Sequence, residues 1–171
     1  LSDTLSLHDA LPICLKWGIA LRGGRAMPHF KQRALLMLTT RQPIFRRFWH
    51  AVMPLAHLQA GPQPFTLLGE DIVLFLDDTG APAALRDRCC HRTARLSKGQ
   101  CEGGRLACGY HGWQYDRSGR VVKIPQYDSS RAIPAEYRTP VYHCTARHGY
   151  AWVALDNPIA DIPAIPEFGA P

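Results

Sequence analysis

The chain has 171 residues, of which 46% are apolar and four are Trp. That composition excludes a disordered chain and permits one domain with a real core. The net charge of +6 sits entirely in residues 1–60, where eight Lys and Arg face two Asp and Glu, while residues 61–171 carry twelve of each. A body this even gives no case for nucleic acid.

No apolar run approaches the ~20 residues that cross a bilayer. The longest candidate, residues 10–21, is interrupted by Pro12, Lys16 and Gly18 and lacks the flanks of a secretory signal. Residues 3–13 resemble the in-frame translation of a sequencing-library adapter, so residues 1–14 are expected to be a non-native leader outside the fold. Residues 15–43 form a basic N-terminal segment, with one helical stretch over 31–37 that Thr39, Thr40 and Pro43 end. In residues 44–49, Phe45, Phe48 and Trp49 fall at helical spacing, which predicts a short helical segment whose aromatics anchor the core.

From residue 63 the pattern changes to short strands separated by turns. Strands are predicted over 65–68, 72–76, 83–87, 105–108, 113–115, 121–124, 141–145 and 150–155. Asp77-Asp78-Thr79-Gly80 and Asp116-Arg117-Ser118-Gly119-Arg120 are hairpin turns, because Gly tolerates positive φ and Asp caps the turn. The class is therefore all-β, an antiparallel sandwich or barrel. Residues 158–171 carry Pro158, Pro163, Pro166 and Pro171 and read as a Pro-rich linker toward a further domain.

Chemistry concentrates in two short motifs. Cys89-Cys90-His91 gives Cys-x-His; sixteen residues lie between it and Cys108-Gly109-Tyr110-His111, which gives Cys-x2-His. Two thiolates and two imidazoles suit a tetrahedral zinc site or a [2Fe–2S] cluster with two Cys on one iron and two His on the other. Zinc sites commonly keep the cysteines in one pair and the histidines in the other. Here each loop offers one of each, an order that favours the two-iron centre. Cys14, Cys90, Cys101 and Cys144 read as small buried hydrophobes. Cysteines without framework-like spacing argue for a reducing compartment, here the cytoplasm.

The segments Arg88-Cys89-Cys90-His91-Arg92 and Cys108-Gly109-Tyr110-His111-Gly112-Trp113, with Glu102-Gly103-Gly104-Arg105-Leu106 between them, resemble the Rieske domain of ring-hydroxylating oxygenase terminal components. The resemblance implies a Rieske-like antiparallel β sandwich over residues 44–157 with a small cluster-binding subdomain. It further implies that Cys89 and Cys108 bind the buried iron and His91 and His111 the outer one. Most relatives carry Pro where Cys90 stands. By the same resemblance, the domain relays single electrons from a ferredoxin or flavin reductase to a mononuclear non-haem Fe(II) that hydroxylates or demethylates aromatic compounds. The full-length proteins are expected to be homo-oligomers.

The oxygenating iron is expected in a catalytic domain that this chain lacks. His143 and His148 have a suggestive interval, but Pro140 stands where that pattern needs Asp, and no His follows residue 148. The respiratory Rieske proteins carry an extra Cys in each loop and a Ser after the second His. The matching positions here are Ala94, Tyr110 and Trp113, so the cluster is expected near the bottom of the Rieske range of about −150 to +300 mV. A stand-alone Rieske-type ferredoxin is the alternative reading.

Overall fold

A computed structural model describes residues 42–165. The expected leader over 1–14, nearly all of the basic segment, the 31–37 helix, Cys14 and the end of the Pro-rich tail lie outside the described residues.

Among these residues, ten strands form two antiparallel sheets. The larger runs β1 (His50–Pro54), β10 (Tyr150–Ala154), β9 (Val141–Arg147), β4 (Pro82–Arg86), β3 (Glu70–Leu76) and β2 (Gln63–Leu67), in that spatial order. The smaller is a meander of β5 (Gln100–Glu102), β6 (Arg105–Ala107), β7 (Gln114–Tyr115) and β8 (Val121–Lys123). A single helical turn, α1 (Leu55–Leu58), follows β1. No helix among the described residues is long and apolar enough to cross a membrane.

Strand β3 explains why the core is double. Its side chains alternate, and both faces are buried. Val73 and Phe75 join Ala83 and Leu85 of β4 in a core that contains Cys89, Leu96, Leu106, Cys108, Trp113 and Tyr115. Ile72 and Leu74 point the other way, with Ala84, Met53, Tyr142 and Val153. The first core ties the large sheet to the small one and encloses the two cysteines of the motifs.

The two expected hairpin turns are built alike. The Asp77 carboxylate accepts hydrogen bonds from the Thr79 hydroxyl at 2.6 Å and from the backbone N–H of Thr79 and Ala81, both at 2.9 Å. Asp116 does the same with Ser118 and Arg120. Gly80 and Gly119 supply the left-handed φ values of 79° and 75°. The turns also meet, since the Arg117 guanidinium sits 2.6 Å from Asp77, whose side chain is only 4% exposed. Burial pushes the Asp77 carboxyl up, but the Thr79 and Ala81 hydrogen bonds and Arg117 outweigh it and hold the group below its usual range.

The N-terminal aromatics depart from expectation. Residues Pro43–Arg47 form a 3-10 turn, and Phe45 and Phe48 are exposed at 39% and 40% while Trp49 is half-buried. Polar contacts hold this segment instead. Arg46 pairs with Asp156 at 2.9 Å and Glu70 at 3.4 Å, and its carbonyl accepts the Asp156 N–H. Strands β1 and β5 were not expected from the sequence. Both are sheet edges, where His50 and Pro54 or Gln100 and Glu102 give no apolar alternation.

Candidate metal centre

The two motifs occupy two loops with one backbone design. In the first, the Cys89 carbonyl accepts the Thr93 N–H at 3.0 Å and the Cys89 N–H donates to the Ala94 carbonyl at 2.8 Å. In the second, Cys108 makes the same pair of bonds with Gly112 and Trp113, both at 2.9 Å. The residue four places after each cysteine is left-handed in both, Thr93 at φ 56° and Gly112 at φ 72°. Each cysteine is thereby pinned through both of its backbone groups. Each histidine rides on the arc between.

This design sorts the donors by depth. Cys89 and Cys108 are each 3% exposed within the inter-sheet core, whereas His91 is exposed and His111 half-buried. The imidazole rings lie side by side, 4.8 Å between centroids. The Cys108 thiol adjoins that of Cys89. Burial pushes it up, the backbone N–H groups of Tyr110 and His111 oppose that by favouring the thiolate, and Cys89 adds to the rise. Desolvation, then the charges of His111 and Arg92, lower the pKa of His91 and favour the neutral imidazole that ligates metals.

Two aromatic residues complete the site. Trp113 stacks flat on His91, with ring planes 1° apart and centroids at 4.5 Å, and Tyr137 stacks on Trp113 at 5.2 Å. Tyr115 is fully buried and puts its hydroxyl 3.1 Å from the Cys89 sulfur. The Cys90 N–H donates to that same hydroxyl oxygen at 3.0 Å. Burial first, and hydrogen bonding to Cys89 and Cys90 next, push the Tyr115 hydroxyl far above its ordinary range, so it stays protonated. Sequence reasoning missed Tyr115. Its position two residues beyond Trp113, on the strand leaving the second loop, was the available signal.

The remaining candidates separate cleanly. Cys101 and Cys144 are half-buried against the two cores, and burial pushes the Cys144 thiol up to about 12. Cys90, expected inside, is exposed, with its sulfur 3.3 Å from the Tyr115 hydroxyl. His143 lies on β9 and meets Asn157 at 3.0 Å, while His148 lies in the β9–β10 turn at φ 52°. Neither belongs to the site.

The two buried thiols meet each other and the two outer imidazoles meet each other, a two-plus-two arrangement. Among the described residues no three His, Cys, Asp or Glu converge on a single metal position. That is compatible with two irons, each taking two side chains. Cys89, Cys108, His91 and His111 could hold such a cluster.

Comparison with known proteins agrees. Residues 48–143 match the Rieske [2Fe-2S] domain. Methylxanthine N1-demethylase NdmA of Pseudomonas putida is 39% identical over 132 residues, which cover 73% of this chain and 36% of the relative. The 4beta-methylsterol monooxygenase of Methylococcus capsulatus is 39% identical over 104 residues, covering 58% of this chain and 28% of that protein. Among solved structures, NdmB of Pseudomonas putida aligns at a TM-score of 0.69 with 34% identity, covering 75% of this chain and 41% of its own. Dicamba monooxygenase aligns at 0.63 with 33% identity, covering 73% and 39%. The chain thus spans about two fifths or less of these relatives. On its fold and these matches, the chain belongs to the Rieske [2Fe-2S] domain family.

Proposed function

We propose that Cys89 and Cys108 hold the inner iron of the Rieske cluster, His91 and His111 hold the outer one, and the domain, residues 44–157, relays single electrons within an oxygenase. When bound, the cluster supplies reversible one-electron storage. The observation that carries this reading is the two-plus-two arrangement of buried thiols and outer imidazoles on twin loops. The chain's own residues then have distinct tasks. The twin turns fix the sulfurs, Trp113 holds the plane of the His91 ring, and Tyr115 donates a hydrogen bond to sulfur. Exposed His91 and Tyr110, the latter 62% exposed, form the tip that meets electron partners.

The donor in this reading is a ferredoxin or flavin reductase. The acceptor is a mononuclear non-haem iron in a catalytic domain beyond this sequence, in a homo-oligomeric, cytoplasmic oxygenase. The kinship with methylxanthine and dicamba enzymes supports hydroxylation or demethylation of an aromatic or heteroaromatic compound. Residues 158–171 would lead to that domain.

Anaerobic reconstitution with iron and sulfide tests the assignment. About two irons and two acid-labile sulfides per chain are expected, with a Rieske-type paramagnetic signal on reduction. His91→Ala and His111→Ala should each abolish that signal and leave a folded β domain by circular dichroism. A native signal in either variant would overturn the ligand assignment. The domain should take up one electron from a reduced ferredoxin or reductase, and should not couple O₂ consumption to substrate oxidation on its own.

A further inference from the structure

One hydroxyl proton, on Tyr115, stands among three partners. Its oxygen lies 3.0 Å from the Cys90 N–H, 3.1 Å from the Cys89 sulfur and 3.3 Å from the Cys90 sulfur. With Cys89 bound to iron, its sulfur is a thiolate and can only accept, so the tyrosine proton goes there, the shorter and charge-assisted contact. The Cys90 N–H is a donor by nature. The remaining contact then has one polarity open to it: the Cys90 S–H donates to the tyrosine oxygen.

We infer that Cys90 is a redox-positioning residue, acting through Tyr115: its thiol strengthens the Tyr115 O–H···S bond to Cys89 and so favours the reduced cluster. This rests on the ligand assignment proposed above. An oxygen that accepts two hydrogen bonds becomes a better donor, because each bond in a chain polarises the next, by ~10–30%. The reduced cluster carries one more negative charge, spread partly onto the cysteine sulfurs, and gains more from a stronger donor than the oxidised cluster does. Cys90 touches no iron. Its influence passes through one oxygen atom.

The experiment is a double-mutant cycle on the reconstituted domain, read as the midpoint potential in a mediated dithionite titration. The cooperative share acts only on the difference in the Tyr115 O–H···S bond's strength between the two oxidation states, so at ~10–30% it changes the reduced-to-oxidised ratio by roughly 1.2- to 1.7-fold at fixed potential. At 59 mV per tenfold for one electron, Cys90→Ala should move the midpoint about 4–13 mV negative. Cys90→Ser, which keeps a donor, should restore the wild-type value. In a Tyr115→Phe background, Cys90→Ala should have no further effect.

A positive shift would overturn the proposal, since it would mean that Cys90 competes for the tyrosine proton. The same negative shift in the Tyr115→Phe background would overturn it too, because Cys90 would then act without the tyrosine. No shift at all in Cys90→Ala would do likewise. If wild-type protein itself gives no Rieske signal, the ligand assignment fails instead, and that outcome is distinct from every shift above.

Discussion

Tyr115→Phe isolates a single hydrogen bond to the cluster. The substitution keeps the ring, which is fully buried in the inter-sheet core, and deletes only the hydroxyl that lies 3.1 Å from the Cys89 sulfur. The bond is present in both oxidation states, so the midpoint potential reports only the difference in its strength. A hydrogen bond to a charged partner contributes ~2 kcal/mol, and if the added electron strengthens it by about half, the difference between the two states is about 1 kcal/mol. At 59 mV per 1.4 kcal/mol for one electron, the variant should titrate roughly 40 mV more negative than wild type. The Cys90 N–H loses its acceptor at the same time, which should lower thermal stability by about 1 kcal/mol. Because burial keeps the hydroxyl protonated, ionisation of Tyr115 itself should give the potential difference no pH dependence between pH 6 and 9. A midpoint unchanged within about 10 mV, or shifted positive, would refute the reasoning, since the hydroxyl then gives no preferential support to the reduced state.

Asp77→Asn should cost ~1–3 kcal/mol at pH 7, because the carboxylate accepts three hydrogen bonds and pairs with Arg117 while buried. Its folded pKa is depressed, so its stabilisation is complete above the unfolded value of about 3.9 and is lost as pH falls through the folded value. Urea melts should therefore show the gap between wild type and variant closing below pH 4, and a constant gap would count against this. Gly112→Ala places a Cβ 3.0 Å from Pro125 Cγ at φ 72° and should destabilise by ~1–2 kcal/mol, with a lower cluster yield on reconstitution. Equal stability and yield would mean that the second loop tolerates another backbone path. Phe75→Ala empties the core behind both cysteines and should cost ~3–5 kcal/mol in a chemical melt. A loss under 1 kcal/mol would show that the two sheets do not share that core.

How much the sequence revealed depended on what each residue's signal was made of. Strand β3 was readable because its uninterrupted Ile72-Val73-Leu74-Phe75 run is what burial on both faces requires. The hairpin turns were readable because Asp and Gly carry their chemistry locally. The four proposed donors were singled out from spacing and resemblance, and the structure pairs the two thiols and the two imidazoles. Phe45 and Phe48 were misread because helical spacing says which residues share a face, not whether anything covers it. Tyr115 was invisible as a site residue because its contact with Cys89 spans 26 residues and exists only once the small sheet packs on the large one. Cys90 was assigned to the core on composition alone, whereas it is exposed, with only its sulfur reaching in to the Tyr115 hydroxyl at 3.3 Å.

The twin loops have a consequence for how the site is made. Each is closed by two hydrogen bonds that span only four and five residues, and each is tied once more to the fold, the Cys90 N–H donating to the Tyr115 hydroxyl and the Gln126 amide to the His111 carbonyl. Most of the ordering entropy of the ligand arcs is therefore spent during folding and not at metal capture. What remains for the incoming irons is to bridge two preformed tips. Thr93 holds in the first loop the left-handed geometry that Gly112 holds in the second, with a side chain in place of glycine's freedom. The first tip would thus be the stiffer template for a cluster, and the second the one with more backbone freedom.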